Sequence, residues 1–177
     1  MNRFLGALAL AAALCSGGAA QASLVTFDNP GLIEIDNNTG IASYTEAGFV
    51  ISGPAASFLP LDSALVGGFD PTPFTLSLVG GGVFGLQSID IAAYDLGFGP
   101  GMLALVGMLG GTQVASLNID LANAGSVLLD SSWAQLTSVS FSATSGFALD
   151  NIATVPEPGS FALAGAALLM AASRRRR

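Results

Sequence analysis

From Ser23 to Val155 the chain contains no Lys, Arg, His or Cys, yet eleven of its twelve acidic residues lie there. That inventory decides most of the available chemistry. A Ser-His-Asp or Cys-His nucleophile cannot be assembled from it. Neither can a zinc site built on His or Cys. Binding to nucleic acid by neutralising phosphates is excluded, because that needs cationic side chains. Each carboxylate has to be hydrated, hydrogen-bonded or bound to a metal ion. Two kinds of chemistry are left to such a set. One is paired acid–base work, as in glycoside hydrolysis. The other is coordination of a hard cation such as calcium, which takes six to eight oxygen ligands.

The calcium reading rests on two places. Asp36-Asn37-Asn38-Thr39-Gly40 is a D-x-N-x-G fragment, and Asp150-Asn151 offers adjacent oxygens near the end of the segment. With Asp28 added, the ligand set reads Asp28, Asp36, Asn38 and Asp150. The later bidentate Glu of a complete calcium loop is missing, and Asx turns explain Asp36 and Asn38 equally well. A carboxylate pair for catalysis is not marked by any motif. Glu34 and Asp36 share one face of a regular strand, which a solvated edge also explains. Glycan contact would use exposed aromatic rings, and Trp133, Tyr44 and Tyr94 are the available ones. Against that stands the frequent use of a lone Trp as core.

The elements that must position these groups read as strands. Short apolar-alternating runs separated by turn residues predict an all-β domain. Candidate strands are Leu24–Phe27, Leu32–Ile35 and Phe49–Ser52, then runs around Phe74–Leu78, Ile89–Ala93, Met102–Leu109, Ala115–Ile119, Ser138–Ser142 and Phe147–Ile152. Residues 54–72, with Pro54, Pro60, Gly67-Gly68 and Asp70-Pro71, are expected to form a long surface loop holding at most one short strand. Gly110-Gly111 predicts a tight hairpin between the Met102–Leu109 run and the next strand. The Met102–Leu109 run is too short and Gly-interrupted to cross a membrane, so it reads as a buried central strand. The spacing predicts an antiparallel two-sheet β-sandwich.

The ends of the chain are of another kind. Met1-Asn2-Arg3, an apolar run from Phe4 to Leu14, and Ala20-Gln21-Ala22 compose a secretory signal peptide, cut between Ala22 and Ser23. Export then runs through the Sec translocon. Leu14 precedes Cys15, which is not the small residue a lipoprotein signal needs, so Cys15 is discarded with the signal and the mature body has no disulfide. At the other end, Val155-Pro156-Glu157-Pro158 leads into an apolar stretch, Phe161 to Ala172, and then Arg174-Arg175-Arg176-Arg177. Two prolines around Glu157 keep the chain extended. The arginines hold the C-terminus on the cytoplasmic side. A helix over residues 159–173 would be about 22 Å long against about 30 Å of hydrocarbon, so it is a marginal anchor.

A Pro-Glu-Pro sequence, a short apolar helix and a terminal arginine cluster resemble the PEP-CTERM sorting domain, over residues 155–177. The resemblance implies recognition by an exosortase, an integral membrane cysteine transpeptidase, with processing near Pro-Glu-Pro. It also implies a Gram-negative bacterium that makes extracellular polysaccharide. A second resemblance is spread over residues 23–153. Phe27-Asp28, Gly48-Phe49-Val50-Ile51, Trp133 ahead of Leu136-Thr137-Ser138-Val139-Ser140-Phe141, and Phe147-Ala148-Leu149-Asp150-Asn151-Ile152 look like the lectin-like jelly rolls found in front of such tails. That likeness implies that Asp28 and Asp150 fall on first and last strands that are neighbours.

The expected organisation is a signal peptide over 1–22, a jelly-roll-like sandwich over 23–153 and a sorting tail over 154–177. The expected function is a non-catalytic envelope or matrix protein, structural or polysaccharide-associated. A carboxylate-based carbohydrate-active enzyme and a calcium-dependent adhesin are the alternatives. One test follows from the missing basic residues. Trypsin has no site in residues 23–155, so the processed protein should resist it even in urea, while a protease specific for aromatic residues cuts the unfolded chain. Fragments released at Arg174–Arg177 from denatured protein recovered from the host would show that the tail had been kept.

Overall fold

The computed structural model describes residues 22–29, 32–61, 63–68, 73–94, 97 and 99–156. Ala22–Val155 gathers into one compact unit. Its thirteen strands are β1 (Ser23–Val25), β2 (Ile33–Asp36), β3 (Ile41–Glu46), β4 (Phe49–Pro54), β5 (Leu59–Leu61), β6 (Ala64–Gly67), β7 (Phe74–Leu78), β8 (Phe84–Ala93), β9 (Met102–Leu109), β10 (Thr112–Asp120), β11 (Ser126–Leu128), β12 (Ser138–Ala143) and β13 (Phe147–Pro156). One sheet runs β11-β8-β13-β6-β5, with β1 also paired to β13. The other runs β10-β9-β12-β7-β4-β3-β2. Every recorded pairing is antiparallel. This is the antiparallel two-sheet sandwich that the alternation predicts. β1 and β13 are neighbours, as the jelly-roll likeness implies, and Asp150 lies on β13, but Asp28 falls three residues past the end of β1.

Alternation sets which side chains face between the sheets. In β4, Phe49 and Ile51 point inward and are buried, while Val50 and Ser52 are half-buried on the outer face. β12 repeats the pattern with Val139 and Phe141 inside. Phe74 of β7 sits between the two sheets. Its ring makes edge contacts with Phe58 at 5.6 Å and with Phe147 at 5.7 Å between centroids. Gly53 of β4 and Gly67 of β6 face the same ring, one from each sheet. A Cβ added at Gly53 would stand 1.8 Å from Phe74 Cδ1, and one at Gly67 would stand 1.9 Å from Cε2. Both positions exclude any side chain so that one large ring can fill the gap.

Several elements depart from the expectation. Residues 54–72 are not one long loop: β5 and β6 form a hairpin there, and Leu65, Val66 and Gly67 are buried. Pro60 and Gly67-Gly68 masked that hairpin, because Gly67 serves close packing against Phe74 rather than a turn. β3 and β11 had no strong apolar signal. Inward of β3 are Ala42 and Tyr44, and β11 has three residues. β13 continues through Val155 to Pro156, past the expected end of the domain at 153. The Gly110-Gly111 turn is as expected. Both residues have positive φ, +56° and +85°, which only glycine adopts without strain. The expected apolar helix of the tail lies outside the described residues, as does most of the signal peptide.

Gly67→Ala should cost about 3 kcal/mol of stability, since the neighbouring ring has to move. Urea denaturation measures it. Combined with Phe74→Leu, the cost should be less than the two single losses added together, because both changes act on one gap. Strict additivity would mean that Gly67 and Phe74 do not share the space the packing assigns them.

Candidate functional site: a carboxylate seam between the first and last strands

β1 and β13 pair through Ser23↔Thr154, Leu24↔Ala153 and Val25↔Ile152. Just beyond β1 the chain turns. Phe27 takes a left-handed backbone with φ +57°, which leaves amide hydrogens without ladder partners. Glu46, at the end of β3 in the opposite sheet, accepts them. The Thr26 N–H donates to Oε2 at 2.6 Å, the Phe27 N–H to Oε2 at 3.2 Å, and the Thr26 hydroxyl to Oε1 at 3.1 Å. A carboxylate in a body without cations thus finds neutral donors instead, and ties the two sheets together.

Tyr44 lies two residues before Glu46 and therefore on the same face of β3. Its ring packs on Phe27 at 5.1 Å. The hydroxyl is buried, next to the Asn29 backbone and the Glu46 carboxylate. Burial pushes its pKa above the usual phenol value, and the negative charges of Glu46 and Asp28 push the same way.

Across the seam, Asn151 also has a left-handed backbone, φ +45°. Its N–H donates to Asp150 Oδ1 at 2.7 Å. Its side-chain amide donates to Asp150 Oδ2 at 3.1 Å and to Asp90 Oδ2 at 2.9 Å. One amide therefore holds two carboxylates from adjacent strands within reach of one nitrogen. Beside them is a pocket of about 460 Å³, lined by Asp90, Ala92, Ser126, Ala148, Asp150 and Ala64 among others. Asp90, Asp150 and Ser126 supply the polar side chains of that pocket. Burial raises the pKa of Asp150, and the charges of Asp90, Asp28 and Glu46 raise it further, against the lowering hydrogen bond from Asn151.

The expected site residues fall in separate places. Asp28 and Asp150 interact electrostatically across the seam. Asp36 and Asn38 do not join them. Asp36 pairs with Ile41 at the start of β3, and Glu46 ends that strand, about 17 Å further on by the rise per residue. Asp36 accepts from Asn38 N–H at 2.8 Å and from the Thr39 hydroxyl at 2.9 Å, an Asx turn that lowers its pKa through those hydrogen bonds. The structure thus holds Asp36 and Asn38 apart from Asp28 and Asp150. Among the described residues no three His, Cys, Asp or Glu side chains converge as a metal cage. Of the three aromatic candidates for glycan contact, two lie in the core. Tyr44 is 1% exposed and Trp133 3%. Trp133 ends a 3₁₀ turn, Ser131–Trp133, capped by Asp130 accepting from Ser132 N–H at 2.8 Å. That cap directs the ring into the core. Tyr94 is half-buried, its N–H bonded to the Gly146 carbonyl at 3.0 Å.

Sequence reasoning did not find Glu46 or Asp90. Nothing in their neighbourhoods differs from an ordinary solvated acid, and only strand pairing puts them beside Asp28 and Asp150. It also missed a hydroxyl row on the outer face of the second sheet. Ser43, Ser52, Thr75 and Ser140 stand opposite one another across four strands, at strand spacings of about 4.8 Å. All four are half-buried, and the row contains neither a charge nor an aromatic ring.

At the C-terminal end, Val155 is half-buried in β13 and Pro156 closes that strand, while Glu157, Pro158 and Arg174–Arg177 lie outside the described residues. At the signal cleavage site, Ala20 lies outside them too, whereas Ala22 and Ser23 are described.

Residues 154–177 match the PEP-CTERM protein-sorting motif family. No curated protein matches the chain. Among solved structures, the chain is similar to the N-terminal CBM22-1–GH10 modules of Clostridium thermocellum endo-1,4-beta-D-xylanase 10B, complexed with xylohexaose, at 12% identity and a TM-score of 0.29. The likeness covers 77% of this chain and spans about a quarter of that one, 24%. The sorting motif makes this an exported protein directed to the cell surface, whose tail is processed by an exosortase at the membrane.

The raised pKa of Asp150 sets a pH test. A carboxyl group with a raised folded pKa favours the folded state when protonated. Its contribution is fully present below the unfolded value, about 3.9, and is lost as pH rises through the folded value. At neutral pH the charged Asp150 therefore lowers stability, and Asp150→Asn should raise the melting temperature there. The gain should vanish near pH 3.5. Equal melting temperatures at pH 7 would show that the seam does not penalise the charge. Calcium bound at the seam would show itself as a rise in melting temperature that Asp150→Asn abolishes.

Proposed function

We propose that this is a non-catalytic, polysaccharide-associated protein of the envelope or extracellular matrix of a Gram-negative bacterium. It is exported through the Sec translocon and freed from its membrane tail by exosortase processing. The observation that carries the polysaccharide reading is the Asp90–Asn151–Asp150 group beside its pocket. Two carboxylates held in place by the Asn151 amide line the pocket with a serine and alanines, and carboxylates and serine hydroxyl can bond sugar hydroxyls. The absence of any cation from the body argues for an uncharged glycan, since an anionic polymer would be repelled.

A second reading is supported by the same pair. A carboxyl group with a raised pKa beside another carboxylate is the acid–base arrangement that glycoside hydrolysis uses. The two readings separate in one series. Purified protein run through gels containing neutral polysaccharides should be retarded, and Asp90→Ala or Asp150→Ala should restore free migration. Release of reducing ends, abolished by Asp150→Asn, would instead make the protein an enzyme. Migration unaffected by any neutral polysaccharide would end the association reading.

A further inference from the structure

The two processing points of this chain lie on paired strands. Signal cleavage exposes Ser23, and Ser23 stands opposite Thr154. The sorting sequence begins at Val155-Pro156 on the very next residues. Because β1 and β13 are antiparallel, the chain entering Ser23 and the chain leaving Thr154 emerge at the same end of the sandwich. The seam there is closed: Thr154, Ile152 and Val25 are buried, and the Thr154 hydroxyl donates to the Ser23 carbonyl at 3.2 Å. β13 itself runs to Pro156, the first residue of Pro-Glu-Pro.

Proteases and transpeptidases take their substrates as extended chain, with residues on both sides of the cut bond held in the enzyme's cleft. Thr154, just upstream of Pro-Glu-Pro, is not available in that form while it is paired with Ser23 and buried, and Val155 beside it is half-buried. Cleavage so close to a folded element needs local opening. β1 suits that role. It has three paired residues, of which only Val25 is buried and Leu24 is 48% exposed. It is also the first strand of the described residues and pairs with β13 alone, so no other recorded pairing depends on it.

We propose that pairing of β1 with β13 controls removal of the tail: the sorting enzyme acts on the chain with β1 detached, and docking of β1 then buries the segment just upstream of the cut. The inference rests on the exosortase reading and adds a conformational requirement to it. The order of events follows. Tail removal precedes final closure of the seam, and the closed seam protects the processed end from a second attack.

A cross-link tests this. Leu24 and Ala153 are directly opposed, so Leu24→Cys with Ala153→Cys gives a Cα separation within disulfide range. The tail-bearing double variant is purified from cells lacking the sorting enzyme and oxidised. It is then mixed with detergent-solubilised membranes from enzyme-bearing cells, with and without reductant, and the loss of the tail is followed by intact mass. The oxidised precursor should be cut at least about tenfold more slowly than the same protein reduced, as for a site that needs local opening. Each single-cysteine variant should be cut at one rate in both conditions, which controls for any effect of reductant on the enzyme's own thiol. Cutting of the cross-linked precursor at the rate of the reduced one overturns the seam requirement and leaves exosortase sorting standing. If even the single-cysteine precursors keep their tails, the sorting reading falls, and the seam requirement falls with it.

Discussion

Eleven carboxylates share the folded body with no cationic side chain, so each has to find a neutral donor or stay in water. The structure shows how that constraint is met. Asp36, Asp120 and Asp130 turn back on their own backbones and accept the amide hydrogens two residues on. These short loops are stiffened by the charge that would otherwise find no partner. Glu46 does the same across a larger gap, taking two backbone hydrogens and a hydroxyl from the opposite sheet. At the seam two carboxylates share one donor group. Asp90 and Asp150 divide one asparagine side chain between them, and burial, with the charge of Asp90 beside it, raises the pKa of Asp150.

With neither disulfides nor ion pairs within Ser23–Val155, cohesion has to come from apolar burial between the sheets. The inner faces supply it with aromatic rings on both sides of the gap. Phe49 meets Phe84 edge-on at 5.2 Å, and Phe74 meets Phe58 and Phe147. Fully burying such a ring is worth about 1.5–3 kcal/mol. The glycines at 53 and 67 are part of the same arrangement, since a ring held between two backbones needs positions without side chains. The acids are thereby kept to turns, edges and the seam. Function, where carboxylates carry it, is confined to those places as well.

The seam joins the two halves of the protein's life. It places Ser23 against Thr154, the last buried residue before the sorting sequence. It also holds the carboxylate pair that gives the pocket its chemistry. A body bound by so short a first strand is well suited to opening locally without unfolding. The long strands, β9 and β10 among them, remain paired through the rest of the sandwich.

The sequence by itself determined the class of protein and its route. Alternation with period two specifies strands, because successive side chains point to opposite faces. The sorting tail is a contiguous signal read as linear chain, so it needs no folding to be legible. The absent basic residues exclude whole classes of chemistry on composition alone. Only the tertiary structure decided which acids meet. Asp28, Glu46, Asp90 and Asp150 come together through strand pairing and facing sheets between positions far apart in sequence, and no local spacing encodes that. Trp133 and Tyr44 show the same limit from the other side. Their types suit glycan stacking, but burial is set by the face of the element that carries them, and both point into the core. The β5–β6 hairpin was hidden for a related reason: Gly67 looks like a turn until Phe74 is seen against it, a contact between residues that only the packed sheets bring together.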